Sequence, residues 1–115
     1  TSDAVDVAEV HDCFSVMGAI GVEVVGKAGY GEGARFWMEG RAAVDGECAI
    51  NTSGGLIAKG HPIGATGVAM VGWSAKQLLG QAPPDLQRKD AEVAATFNIG
   101  GPICASVCTV LRPTG

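Results

Sequence analysis

The sequence predicts an α/β fold in a single domain, residues 1–115. Three observations point there. Short apolar runs suited to strands alternate with segments of helical pattern. Two strand-like segments close the chain as a pair. Finally, 47% hydrophobic against 17% charged residues, over 115 residues, is a globular composition sufficient for one modest core.

Val5, Val7 and Val10 lie in a short apolar run, read as a buried strand ending near His11. Phe14 to Val25 follows as a helix, with Ser15 placed to cap it. Its apolar positions run almost all round and Glu23 is its one charge, the mark of a buried or interface helix. Gly18 and Gly21 permit close packing there, at a cost of about 1 kcal/mol each relative to Ala. Residues 27–46 are rich in glycine and charge and read mostly as loop, with a short helical turn near Gly31 to Met38. Cys48 to Asn51 is a short strand or extended entry to a glycine-rich loop, and Thr66 to Leu79 is a helix. Gln81 to Asp90, with Pro83-Pro84, reads as an exposed connection. Ala91 to Asn98 is a strand interrupted at Gly100-Gly101-Pro102, and Ile103 to Leu111 is its small or β-branched partner. Aromatics are only 5%, so the core should be built mainly of Val, Ala, Ile and Leu.

The net charge of −4 without a basic run argues against nucleic-acid binding. No apolar stretch is long enough to span a bilayer, and no signal-peptide pattern stands at the start. Four cysteines without framework spacing suggest free thiols in a reducing compartment, with the cytosol as default and peroxisome or mitochondrion open. The closing Arg-Pro-Thr-Gly is not a peroxisomal tripeptide. Cys104 and Cys108 invite a metal reading with His11, Cys13 and His61. On a strand, however, residues four apart lie roughly 13 Å from each other, too far for a disulfide or one zinc ion. No metal site is expected, and Cys48 reads as structural.

The densest chemical signal is Ser53-Gly-Gly-Leu-Ile-Ala-Lys-Gly-His61-Pro-Ile-Gly-Ala-Thr-Gly67. Five glycines around one histidine indicate a tightly folded backbone that something approaches closely. An imidazole on such a turn, ahead of a helix, suits acid/base chemistry. The residues alone fit equally a packed turn that contains a histidine.

Gly60-His-Pro-Ile-Gly-Ala-Thr-Gly67, with Asn51-Thr-Ser-Gly-Gly55 before it, resembles the histidine motif of the thiolase superfamily. His11-Asp12-Cys13-Phe14 resembles the HDCF motif of sterol-carrier-protein-2 type thiolases, and Asn98-Ile99-Gly100-Gly101 the glycine-rich segment near their C-terminus. The resemblance covers nearly the whole chain but only the last part of a thiolase. It implies the C-terminal half-domain of that fold, a mixed sheet covered by helices, incomplete at its N-terminal side. It also implies catalytic positions. His61 would activate a nucleophilic thiol and help hold the thioester oxygen. Cys13 would move the proton at the substrate α-carbon. His11 would stand where other thiolases carry an oxyanion-hole asparagine, and Gly100 could offer a backbone N–H to the same oxygen. Asp12 more naturally orients the loop or bonds backbone amides. Many thiolases read Cys-x-Gly where this chain has Asn98-Ile99-Gly100, so no thiolate is available there, in keeping with a Cys13-type arrangement.

What the family has and this chain lacks is the nucleophilic cysteine, which lies in the N-terminal half together with most coenzyme A contacts. The expected partners are therefore that half or a second copy of the chain, with acyl-CoA as substrate and no covalently bound cofactor. Relatives often carry an acidic residue soon after the HDCF phenylalanine, where this chain has Val16-Met17-Gly18-Ala19. Three readings stand open: part of an acyltransferase acting on 3-ketoacyl-CoA and acetyl-CoA, inactive alone; part of a thiolase-like aldolase for CoA thioesters; and a non-catalytic interaction module.

Overall fold

The structure is a computed structural model that describes residues 1–114. Gly115, the last residue of the predicted domain and of the closing tetrapeptide, lies outside the described residues. Four strands, β1 (Val7–Val10), β2 (Ala49–Ile50), β3 (Ala94–Gly100) and β4 (Ala105–Leu111), form one sheet in the order β2-β1-β3-β4. β1 runs parallel to both β2 and β3, whereas β4 is antiparallel to β3. Parallel neighbours need long crossovers. Helices α1 (Ser15–Val24) and α2 (Gly33–Met38) fill the one from β1 to β2, and α3 (Gly55–Lys59) and α4 (Thr66–Leu78) fill the one from β2 to β3. The fold is therefore a mixed α/β sheet covered by helices, as expected.

Alternating strand residues divide the core. Ala8, Val10, Ala95 and Phe97 pack on one face with Val22 and Val25 of the α1 segment and Phe36 of α2. Val7, Ala49 and Ala94 pack on the other, with Leu78 of α4 against them. Phe36 and Met70 are the largest fully buried side chains, so the core leans on two bulky residues more than its aliphatic composition indicates. Close approach explains Gly21: a Cβ there would lie 2.6 Å from the Cβ of Val10. Gly18 is under no such constraint, since an added Cβ would meet Asp12 at an ordinary 3.5 Å.

Several boundaries differ from the sequence reading. Ser15 does not cap α1; it is its first residue. Phe14 takes the cap position, because its carbonyl accepts from the Met17 and Gly18 amides while its own backbone stays extended. Of the buried and interface readings of α1, the fully buried one does not hold: Met17, Gly18, Gly21 and Val22 are buried, but Val16, Ile20 and Val24 face outward, as does Phe14 at the cap. α3 was expected to be loop. Gly54 and Gly55, both with positive φ, turn the chain sharply enough to start one short helix before Gly60 ends it. Residues 81–90 are mostly exposed, as expected, yet tied down at Gln87 and Arg88. The Gln87 amide donates to Gln77 O, and Arg88 Nη1 donates to the carbonyls of Val44 and Gly46. β3 continues past Asn98 to Gly100, because Ala105 pairs with it there. Cys104 falls in the connecting turn, outside β4. No helix among the described residues is long and apolar enough to cross a membrane.

Candidate active site

All four residues picked from the sequence, His11, Cys13, His61 and Gly100, line one cleft of about 1080 Å³. Its other walls include Asn98 and apolar side chains of α4 and the β3–β4 hairpin, among them Val68, Val71, Ile99 and Val107.

His11 follows directly after β1. Its amide donates to the Phe97 carbonyl, extending the β1–β3 ladder by one step and fixing its Cα beside β3. The residue is 3% exposed. Its Nδ1 lies 2.9 Å from Oδ1 of Asn98, and the Ile99 amide points at the same nitrogen from 3.4 Å. Asn98 therefore has a positive role that the sequence reading missed. That reading treated it only as an absent thiol, and no short-range pattern links residues 87 positions apart.

His61 is exposed and sits on the turn between α3 and α4. Its Nδ1 lies 2.7 Å from the Thr66 hydroxyl, which itself donates to the Pro62 carbonyl. A hydroxyl has one proton to give. With that proton on Pro62, Thr66 accepts from His61 Nδ1–H, and the neutral ring keeps its lone pair on Nε2. The rings of His11 and His61 meet edge to face, with centroids 4.9 Å apart.

Cys13 is half-buried and free. Its neighbour Asp12 accepts the Leu56 amide at 2.7 Å, which ties the 11–14 segment to α3 and matches the backbone role expected for this carboxylate. Glu9, one pleat before His11, is 1% exposed. Burial raises its carboxyl above the ordinary 4.5, while hydrogen bonds from Ser53 and the charge of Lys59 pull it back down. Among the described residues, no group of three or more His, Cys, Asp or Glu is placed to hold a metal ion.

A family profile described as Thiolase C-terminal domain-like matches residues 1–113. The chain belongs to the thiolase C-terminal domain family. Among the relatives of this thiolase domain, an acetyl-CoA acetyltransferase of Methanothermobacter thermautotrophicus is 46% identical over 88% of the chain and 26% of its own length. A benzoylsuccinyl-CoA thiolase subunit of Thauera aromatica is 36% identical over 84% of the chain and 25% of its own length. Human sterol carrier protein 2 is 42% identical over 87% of the chain and 18% of its own length. The chain thus spans about a quarter or less of the curated relatives it matches.

Proposed function

We propose that this thiolase domain is the C-terminal part of an acyltransferase acting on 3-ketoacyl-CoA and acetyl-CoA thioesters, active only when completed by polypeptide that carries a nucleophilic cysteine. The observation that carries the reading is the meeting of His11, Cys13, His61, Asn98 and Gly100 in one cleft, with the Nε2 lone pair of His61 left free. The names of the first two relatives place both on CoA thioesters.

In thiolysis the nucleophilic thiol passes its proton to His61 Nε2. The resulting thiolate attacks the 3-keto carbon, and the carbonyl electrons move onto oxygen. As they return, the C2–C3 bond breaks, the acyl group stays on sulfur, and Cys13 delivers a proton to the departing acetyl-CoA carbon. Coenzyme A thiol then gives its proton to the Cys13 thiolate and attacks the acyl carbon, and the nucleophilic cysteine leaves and takes back the proton held by His61. Synthesis runs the same steps backwards, with Cys13 accepting the α-proton.

The oxyanion role of His11 needs a donor at Nε2, and therefore an unprotonated Nδ1. The Ile99 amide is a fixed donor aimed at Nδ1. The Asn98 carboxamide can turn over so that its NH2 group also donates there, since amide oxygen and nitrogen are interchangeable in shape. Both groups then hold His11 as the Nε2–H tautomer beside Gly100.

The test is 3-ketoacyl-CoA thiolysis by the 115-residue chain, alone and together with a cysteine-bearing N-terminal thiolase half. The reading expects no turnover from the chain alone and acetyl-CoA release from the completed protein. Absence of thiolysis from a folded, cysteine-bearing completed protein would overturn it.

A further inference from the structure

We propose that Glu9, Ser53 and Lys59 form a clamp across both ends of α3 that positions His61 against His11. The inference rests on His61 being a site residue, and it concerns three side chains outside the cleft lining.

α3 has only five residues; it opens on Gly55 and is bounded by Gly54 and Gly60, all three with positive φ. Such a segment is too short to hold itself in place by its own helical hydrogen bonds. Its restraints come from the end of β1. Asp12 takes the Leu56 amide. Glu9 reaches further along the same segment: Oε1 accepts from the Ser53 amide at 3.2 Å, and Oε2 accepts from the Ser53 hydroxyl at 2.5 Å and from Lys59 Nζ at 3.3 Å. Lys59 Nζ also donates to Ser53 Oγ at 2.6 Å. The hydroxyl therefore gives its proton to Glu9 while accepting from the ammonium and, at 3.2 Å, from the Gly55 amide. Ser53 stands two residues before α3, and Lys59 is its last residue, two before His61.

A carboxylate, hydroxyl and ammonium closed into a triangle around a fully buried acid make charge-assisted bonds, stronger than neutral ones. Glu9 and His11 sit on the same short strand end, so the element that places the His11 ring also places the loop bearing His61. That shared anchor accounts for two rings from distant segments meeting at 4.9 Å. In this arrangement Lys59 is a positioning residue. Its ammonium is bound to Glu9 and Ser53, and it stands outside the group of side chains that line the cleft.

The experiment is hydrogen exchange by mass spectrometry on the protein, without substrate, in the variants Lys59→Met, Lys59→Arg and Glu9→Gln. Lys59→Met keeps most of the apolar stem and removes the charge. The clamp predicts amide exchange over residues 55–61 about tenfold faster in Lys59→Met and Glu9→Gln, from loss of charge-assisted bonds. It also predicts wild-type exchange over β3 and recovery of slow exchange over 55–61 in Lys59→Arg. Unchanged exchange over 55–61 in both uncharged variants, or loosening that spreads equally to β3, would overturn it. Because no turnover is measured, failure of the clamp and failure of the acyltransferase reading are separate results.

Discussion

The imidazole of His11 and the carboxamide of Asn98 meet 2.9 Å apart across the β1–β3 pair, and Gly67 on α4 makes room for them. A Cβ at position 67 would lie 2.8 Å from Nδ2 of Asn98. Gly67→Ala must therefore push Asn98 away from His11. In urea unfolding it should cost about 1–3 kcal/mol in the wild type, the scale of overpacking plus a strained, part-buried contact. It should cost markedly less in an Asn98→Ala background, where nothing is left to displace. Equal costs in the two backgrounds would break the proposed link between α4 and His11.

Thr66 orients His61 by accepting from Nδ1–H. In the completed enzyme Thr66→Val should lower kcat about ten- to hundredfold with little change in KM, because the base loses its preferred tautomer while binding groups remain. Thr66→Ser should restore most of the rate. A wild-type kcat in Thr66→Val, measured by steady-state thiolysis, would show that the hydroxyl does not set the ring.

Glu9 gives stability a pH dependence of defined sign. Its folded carboxyl titrates above the ordinary 4.5 because burial penalises its charge. The folded protein therefore binds this proton more tightly than the unfolded chain, and the benefit is lost as pH rises through the folded value. Glu9→Gln cannot ionise, so its stability relative to wild type should improve as pH rises from the ordinary 4.5 through the higher folded value. Urea titrations at several pH values check this; a difference moving the other way would contradict the burial account.

Cys48 is fully buried, and burial pushes its thiol up to about 11. Cys104 and Cys108 are exposed. Iodoacetamide at mildly alkaline pH should label Cys104 and Cys108 in the native protein and Cys48 only after denaturation, since the thiolate is the reactive form. Peptide mapping reads the result, and rapid native labelling of Cys48 would contradict its place in the core.

The order of strands and long helices was legible because period and length carry it: β1, α1, α4 and the closing hairpin all appear within a few residues of their expected places. The site residues were legible only through motif resemblance at 11–14, 60–67 and 98–101. What escaped was the bonding between distant segments. Asn98 meets His11, Gln87 meets Gln77, and Ser53 with Lys59 meets Glu9 through side chains brought together by sheet register and helix docking. No local pattern encodes such pairs. α3 escaped for another reason. Five residues between glycines have no helical period to read, and tertiary bonds to Asp12 and Glu9 hold them instead.

The central claim, that this domain supplies the base of a thioester-cleaving site, is tested most directly by thiolysis of 3-ketoacyl-CoA with the protein completed by a cysteine-bearing half and with its His61→Ala variant. The account predicts a fall in kcat of about a hundredfold or more for His61→Ala in a protein that keeps its fold, the scale of a lost general base. A folded His61→Ala variant that cleaves substrate at the wild-type rate would contradict it.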